Sequence, residues 1–232
     1  VLIADLLNGQ IVVDSGAGDD LLTLDFTTAQ FLTANGIVVT YNAGETGETN
    51  GDEIAITGGT IASLTYNVTS SEAGNFDVGG TSAGDIFFTQ TEPATITSVL
   101  GTVTINIDDG VVGGTLATSI TNNGNAADGI LLLDLPGALE DMTFTAPTVA
   151  LVINGDIDSD DVITIASLDT AYRAAITIDG RGATDTVNLN AILQLGDATA
   201  GNTGSLSVTG ETINVNANVT TLAAGSVGDV TL

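Results

Sequence analysis

Short runs that alternate apolar and polar residues, or are rich in β-branched ones, recur along the whole chain and constrain its fold more than any other feature. They are QIVVD, DLLTLDF, GIVVTY, DEIAIT, IASLTYNV, DIFFT, GTVTINID, GILLLDL, DMTFT, VALVIN, DVITIA, AAITIDG, DTVNLN, SLSVTG, ETINVNANVTTL and DVTL. Most are bounded by Gly, Asn or Asp, the residues that turn a chain between strands. Helical periodicity is nearly absent, and only GALEDM and LDTAYRAA allow a helical turn or two. The sequence predicts an all-β chain of about twenty short strands.

Two all-β architectures compete: a right-handed parallel β-helix (β-solenoid) and tandem β-sandwich modules joined near PGALEDM. Periodicity favours the solenoid. Aligning Ile153-Asn154-Gly155 with Ile178-Asp179-Gly180 gives an offset of 25 residues, and aligning Val162-Ile163 with Thr186-Val187 gives 24. That length suits one coil, and it predicts that strand Ile163–Ile165 lies parallel to Val187–Leu189. It also stacks the 156–161 loop on the 179–185 loop. Farther back the Gly/Asp loops DSGAGDD, NAGETGETNGDE, GNFDVGGTSAGD, IDDGVVGG and TNNGNAADG recur less evenly. With no linker and no composition shift, residues 1–232 read as one solenoid-like domain, part of a longer repetitive or polymeric assembly.

The residue inventory removes most chemistry. Of 232 residues 29 are acidic and 2 basic, a net charge of -27, so neither nucleic acid nor an anionic membrane surface is a fitting partner. Cys, His and Lys are all absent, which excludes thiolate chemistry, the commonest general base and Schiff-base chemistry. The two bases are Arg173 and Arg181. No apolar run is long enough for a membrane-spanning helix, and with aromatics at 4% there are no girdles of the kind a transmembrane barrel carries. The expectation is a protein that is not an enzyme and does not insert into a membrane, with divalent cations as its natural counterions.

GAGDDLLTLDF, VINGDIDSDDVITIASLD, ITIDGRGATDTVNLNA and LSVTGETINVNANVTT resemble modules of very large secreted surface proteins of aquatic bacteria. Those adhesin-type proteins string together β-repeats with hemolysin-type, RTX-like Gly/Asp turns. The resemblance implies an extracellular β-solenoid-like surface protein, of a kind described as adhesins or calcium-binding repeats, and implies no reaction.

The acidic turns carry the candidate metal ligands. Asp156, Asp158 and Asp160 form D-x-D-x-D, whose alternate spacing points three carboxylates into one concavity, and Asp161 adds a fourth. The EF-hand match fails, because Asp161 replaces the required Gly, Ser167 stands at the bidentate Glu position, and the flanks are strands. In SGAGDDLL, Gly16 and Gly18 allow a tight turn, Asp19 and Asp20 offer ligands, and Leu22 points to the core; the second turn that closes an RTX site does not follow. Asp179 and Asp185, from the loop that stacks on 156–161, complete a shared site between coils, unless Arg181 neutralises those acids as an ion pair. Solvated Asp-rich turns are the simpler reading of the same residues.

Other signals are weaker. Thr95/Thr97 and Thr102/Thr104 lack the regular interval of an ice-binding face. Asn67-Val68-Thr69 and Asn218-Val219-Thr220 are sequons of a kind that chance produces, and RGATD is not an integrin signal. Tyr41, Tyr66, Phe76, Phe87 and Phe88 are too scattered in sequence to make a carbohydrate-binding row. Arg173 beside Tyr172 is the one candidate base for a carbohydrate-active β-helix enzyme, the alternative function. The leading expectation is a calcium-stabilised structural or adhesive module, secreted to the cell surface. Its ends VLIADLLNGQIVVD and GDVTL lack caps, which points to head-to-tail polymerisation, with extracellular polysaccharide as a candidate partner.

Overall fold

The computed structural model describes residues 9–27, 32, 36–44, 47, 49, 51–70, 73–80, 85–91, 93–107, 115–135, 139, 141–197, 204–221 and 228–232. Within them lie 21 strands. The first sheet has ten, in spatial order β1 (Gln10–Asp14), β3 (Val38–Asn42), β7 (Ile86–Thr89), β6 (Ala73–Val78), β5 (Thr60–Ser70), β9 (Val99–Ile107), β13 (Ala150–Asn154), β15 (Ala175–Asp179), β18 (Leu206–Thr209) and β21 (Val230–Thr231). The second has nine: β19 (Thr212–Val215), β16 (Thr186–Leu189), β14 (Asp160–Ile165), β10 (Thr115–Thr121), β11 (Ile130–Asp134), β12 (Met142–Thr145), β8 (Ala94–Ile96), β4 (Glu53–Thr57) and β2 (Leu21–Asp25). A short third sheet joins β17 (Leu193–Leu195) to β20 (Val219–Thr221).

The chain is therefore all-β, with two long and mainly parallel sheets between which it alternates. Only the pairings of β5 with β6, β6 with β7, β10 with β11 and β11 with β12 are antiparallel among the described strands. Greek-key sandwiches would be antiparallel throughout. Each antiparallel group is a meander that inserts one reversed strand, β6 or β11, into an otherwise parallel sheet.

The repeat read from sequence is the observed register. Ile153 pairs with Ile178 and Asn154 with Asp179. Val162 pairs with Thr186 and Ile163 with Val187, in parallel. In-register stacking brings like residues together, so core columns form. Leu64, Val103, Leu151, Ile176 and Leu206 follow one another across the first sheet, all essentially unexposed. Ile120, Ile165 and Leu189 do the same across the second. On a neighbouring column the side chains of Asn75, Asn67, Asn106 and Asn154 form an amide ladder with hydrogen bonds of 2.9, 2.7 and 2.7 Å. Asn67, Asn106 and Asn154 each donate their amide N–H to the carbonyl oxygen of the Asn before them in this order, which pins the register.

Several local expectations change. GNFDV, read as part of a Gly/Asp loop, is strand β6. LDTAYRAA holds a turn rather than a helix, closed by the Tyr172 N–H on the Asp169 carbonyl at 3.0 Å. In GALEDM, Gly137, Ala138 and Glu140 lie outside the described residues, and Met142 opens β12. Tyr66, Phe76 and Phe88 meet with ring centroids 5.0 to 6.1 Å apart, but inside the core and not as an exposed row. No described helix is long and apolar enough to cross a membrane.

Candidate functional site

An acid stands immediately before, or at the very start of, several strands of the second sheet, and its carboxylate caps the corner where the chain passes between sheets. Asp52 is the fullest case. Its Oδ1 accepts the Asp20 N–H of the preceding coil at 2.6 Å and its Oδ2 accepts the Gly44 N–H of its own coil at 2.7 Å. The side chain is wholly unexposed. Burying a carboxylate is costly unless charge-assisted hydrogen bonds satisfy it, and two backbone donors do so here. The pattern returns in later coils. Asp185 Oδ1 accepts the Asp161 N–H at 3.0 Å, and Glu211 Oε2 accepts the Asp185 N–H at 2.7 Å. Asp161 Oδ2 accepts the Asp156 N–H at 2.6 Å.

The D-x-D-x-D stretch does not converge on one point. Asp156 is buried and folds back, its Oδ1 accepting the Asp158 N–H at 3.1 Å and its Oδ2 facing the Ser159 hydroxyl at 3.4 Å. Asp158 and Asp160 are exposed, and Asp160 Oδ1 accepts the Thr184 N–H across coils at 3.0 Å. Alternate spacing aligns side chains only in extended backbone, and residues 157–159 form a bend. The loops do stack as expected: Asp160 and Asp161 both bond into the 184–185 stretch, and the Ile157 carbonyl lies where a side chain on Gly182 would sit. Asp179 Oδ1 accepts the Arg181 N–H at 3.1 Å, so the contact Arg181 makes there comes from its backbone, in a left-handed conformation at φ 75°.

In the first acidic turn Gly16 and Gly18 have φ of 101° and 98°, as a tight turn requires. Leu22 packs against the core. Asp19 is exposed and accepts the Thr49 N–H at 2.6 Å. Asp20 lies within hydrogen-bond reach of Asp52 through its backbone. Among the described residues no three acids are grouped to hold a metal ion. The inward carboxylates act as acceptors for backbone N–H groups, which ties each corner to its neighbour.

Asp52 escaped the sequence reading. Its signal was positional: Asp20, Asp52, Asp161, Asp185 and Glu211 each fall within one or two residues of the apolar positions that open a second-sheet strand.

Gly155 sits under this cap. A Cβ there would collide with Asp161 Oδ2 and lie 2.7 Å from the Gly180 carbonyl. Gly155→Ala displaces the Asp161 carboxylate from the Asp156 N–H and lowers unfolding stability by about 2 kcal/mol. Denaturant melts of the two proteins check this, and equal midpoints would remove the cap from the account.

Three carboxylic acids are held above their ordinary value. Burial raises Asp185 first, the Asp161 N–H offsets part of this, and Glu211, Asp160 and Asp179 raise it further. Burial raises Asp141, against the Leu135 N–H, and Asp134 adds to it. Burial and Asp77 raise Asp85. An acid with a raised folded value binds its proton more tightly in the native state. Its stabilisation is complete below the unfolded value and is lost as pH rises through the folded one. The melting temperature therefore rises on acidification from about pH 7 to about pH 4.5 at fixed ionic strength, in the same direction as relief of net-charge repulsion. A melting temperature that falls over that range contradicts the assignment.

The second candidate region surrounds Arg173. A cavity of about 400 Å³ lies between the turn 166–173 and the stretch 190–194. A second, of about 320 Å³, lies on the other side and shares Asp169, Tyr172 and Arg173. Arg173 Nη1 donates to the carbonyls of Thr170 and Tyr172 at 3.0 and 2.6 Å. Asp169 is buried, its Oδ2 accepting the Gly129 N–H and its Oδ1 the Ala171 N–H, each at 2.8 Å. Burial holds the Tyr172 phenol above its usual range, so it stays neutral.

Comparison with protein-family models, with curated proteins and with solved structures finds no match for this chain.

Proposed function

We propose that this chain is a non-catalytic structural segment of an extracellular surface protein, wound as a right-handed parallel β-solenoid. The observation that carries the reading is the continuous in-register column from Leu64 to Leu206. Strands that return to the same sheet in parallel, one position along, are what successive coils produce, and such crossovers are right-handed almost without exception. A repetitive rod without His, Cys or Lys suits load-bearing or adhesive display better than turnover. Calcium enters as a weak stabiliser, neutralising the exposed acids Asp19, Asp158 and Asp160 along one edge, with affinity on the order of 10⁻⁴–10⁻³ M as in extracellular modules.

Head-to-tail association of copies belongs to the same reading.

Solution scattering tests the architecture. Ten strands at the usual spacing make a rod on the order of 45 Å long, lengthening in multiples when copies associate. Antibody labelling of intact cells tests the location. A compact sphere in solution, or labelling only after permeabilisation, would contradict the proposal.

A further inference from the structure

We propose that the cavity beside Arg173 binds a carboxylate-bearing saccharide unit. The inference goes beyond the structural role above, because it assigns a ligand to a surface that a purely structural rod leaves unused. Its volume of about 400 Å³ lies within the usual range of small-ligand sites.

Its chemistry runs against the rest of the molecule. The chain carries 29 acids and 2 bases, yet one of those bases lines this cavity. The acid beside it, Asp169, is buried with a backbone N–H on each oxygen, so its oxygens are turned to the backbone. Asn190 also lines the cavity; its Oδ1 accepts the Asn216 amide at 2.8 Å, and its amide carries two N–H donors. A guanidinium and an amide N–H suit an anionic acceptor.

The floor decides which anion. Leu168, Ala191 and Ile192 make it apolar, and Ile192 is 64% exposed. A bare phosphate or a small carboxylate would leave that surface wet, whereas a pyranose ring lays an apolar face on it and hydroxyls on the rim. A net charge of -27 also opposes multiply charged ligands at long range, so one carboxylate per unit fits best. The site is preorganised: two carbonyls fix the Arg173 guanidinium, and the Asn122 N–H fixes the Ser167 hydroxyl at 3.0 Å. The adjoining cavity of about 320 Å³ shares Asp169, Tyr172 and Arg173 and adds Asp197, so a following unit of the same polymer lies there only with its carboxylate turned to solvent.

The test is calorimetric titration of the whole chain with a uronic-acid trisaccharide and, separately, with the matching neutral hexose trisaccharide. The acidic oligomer binds and the neutral one binds at least about tenfold more weakly. Raising the salt concentration strengthens acidic binding, because it screens the repulsive net charge more than the close Arg173 contact. Arg173→Gln weakens binding by about tenfold or more. Since Arg173 also pins its own turn, Ile192→Asp provides a second variant at an exposed position; it abolishes acidic binding while the melting temperature stays unchanged. Absence of binding by either oligomer, equal binding of both, or full binding by Ile192→Asp overturns the proposal. None of these outcomes bears on the rod architecture, which scattering tests separately.

Discussion

Asp52→Ala lowers unfolding stability by about 3–5 kcal/mol, the largest effect expected of any acid in the chain. The substitution removes both oxygens that accept the Asp20 and Gly44 N–H groups, and it leaves those donors without their acceptor in a site that is wholly unexposed. For a chain of 232 residues this corresponds to roughly 6–20 °C in melting temperature. Asp52→Asn keeps one acceptor oxygen and falls by about half as much. Asp158→Ala is the internal control. Asp158 is exposed, so its loss changes stability by no more than about 0.5 kcal/mol. If the acidic turns were metal cages built on D-x-D-x-D, the ranking would reverse: Asp158 would be costly and Asp52 incidental.

Phe76→Ala costs about 3–5 kcal/mol, comparable with Asp52→Ala but for a different reason. Phe76 is the side chain of the reversed strand β6 that touches both Tyr66, at 5.0 Å between centroids, and Phe88, at 5.3 Å. It is unexposed, and its hydrogen-bonded neighbours β5 and β7 leave little freedom to close the cavity. Phe76→Leu restores most of the volume and loses about 1–2 kcal/mol, mainly the ring contacts. Chemical denaturation of the three proteins checks the order. A Phe76→Ala protein as stable as the parent would mean that β6 is not packed as the structure places it.

Strand β6 also marks where sequence and structure part. The parallel pairings from β13 onward were legible because apolar runs and turns repeat together at 24 to 25 residues. Earlier pairings hide that period, since each meander adds two strands between partners. Leu64 to Val103 is an offset of 39 and Val103 to Leu151 one of 48. GNFDV looked like a loop because of its Gly, Asn and Asp. Gly74 is there for close approach and not for a turn: a Cβ would lie 2.6 Å from the Asn67 carbonyl and 2.8 Å from the Phe88 ring. Strand β10, TLATSIT, was missed because Thr118 stands at the inward position between Leu116 and Ile120 and breaks the apolar alternation. At the acidic edge the stacking of the loops was legible from the same offset. The direction of each carboxylate was not, because a bend at 157–159 breaks the alternation that D-x-D-x-D assumes. Which acids turn inward depends on backbone N–H groups from other coils, as Asp52 depends on Asp20, 32 residues away.

The central claim is that carboxylates capping N–H groups of neighbouring strand ends hold the acidic corners. Amide hydrogen exchange by NMR in the presence of a calcium chelator tests it most directly, read at the N–H of Asp20 and Asp161, which bond to Asp52 and Asp185 at 2.6 and 3.0 Å. Both amides should exchange as slowly as neighbouring strand amides such as that of Ile163, and calcium should change their rates little. Amides that exchange freely in chelator and become protected only when calcium is restored would contradict the account.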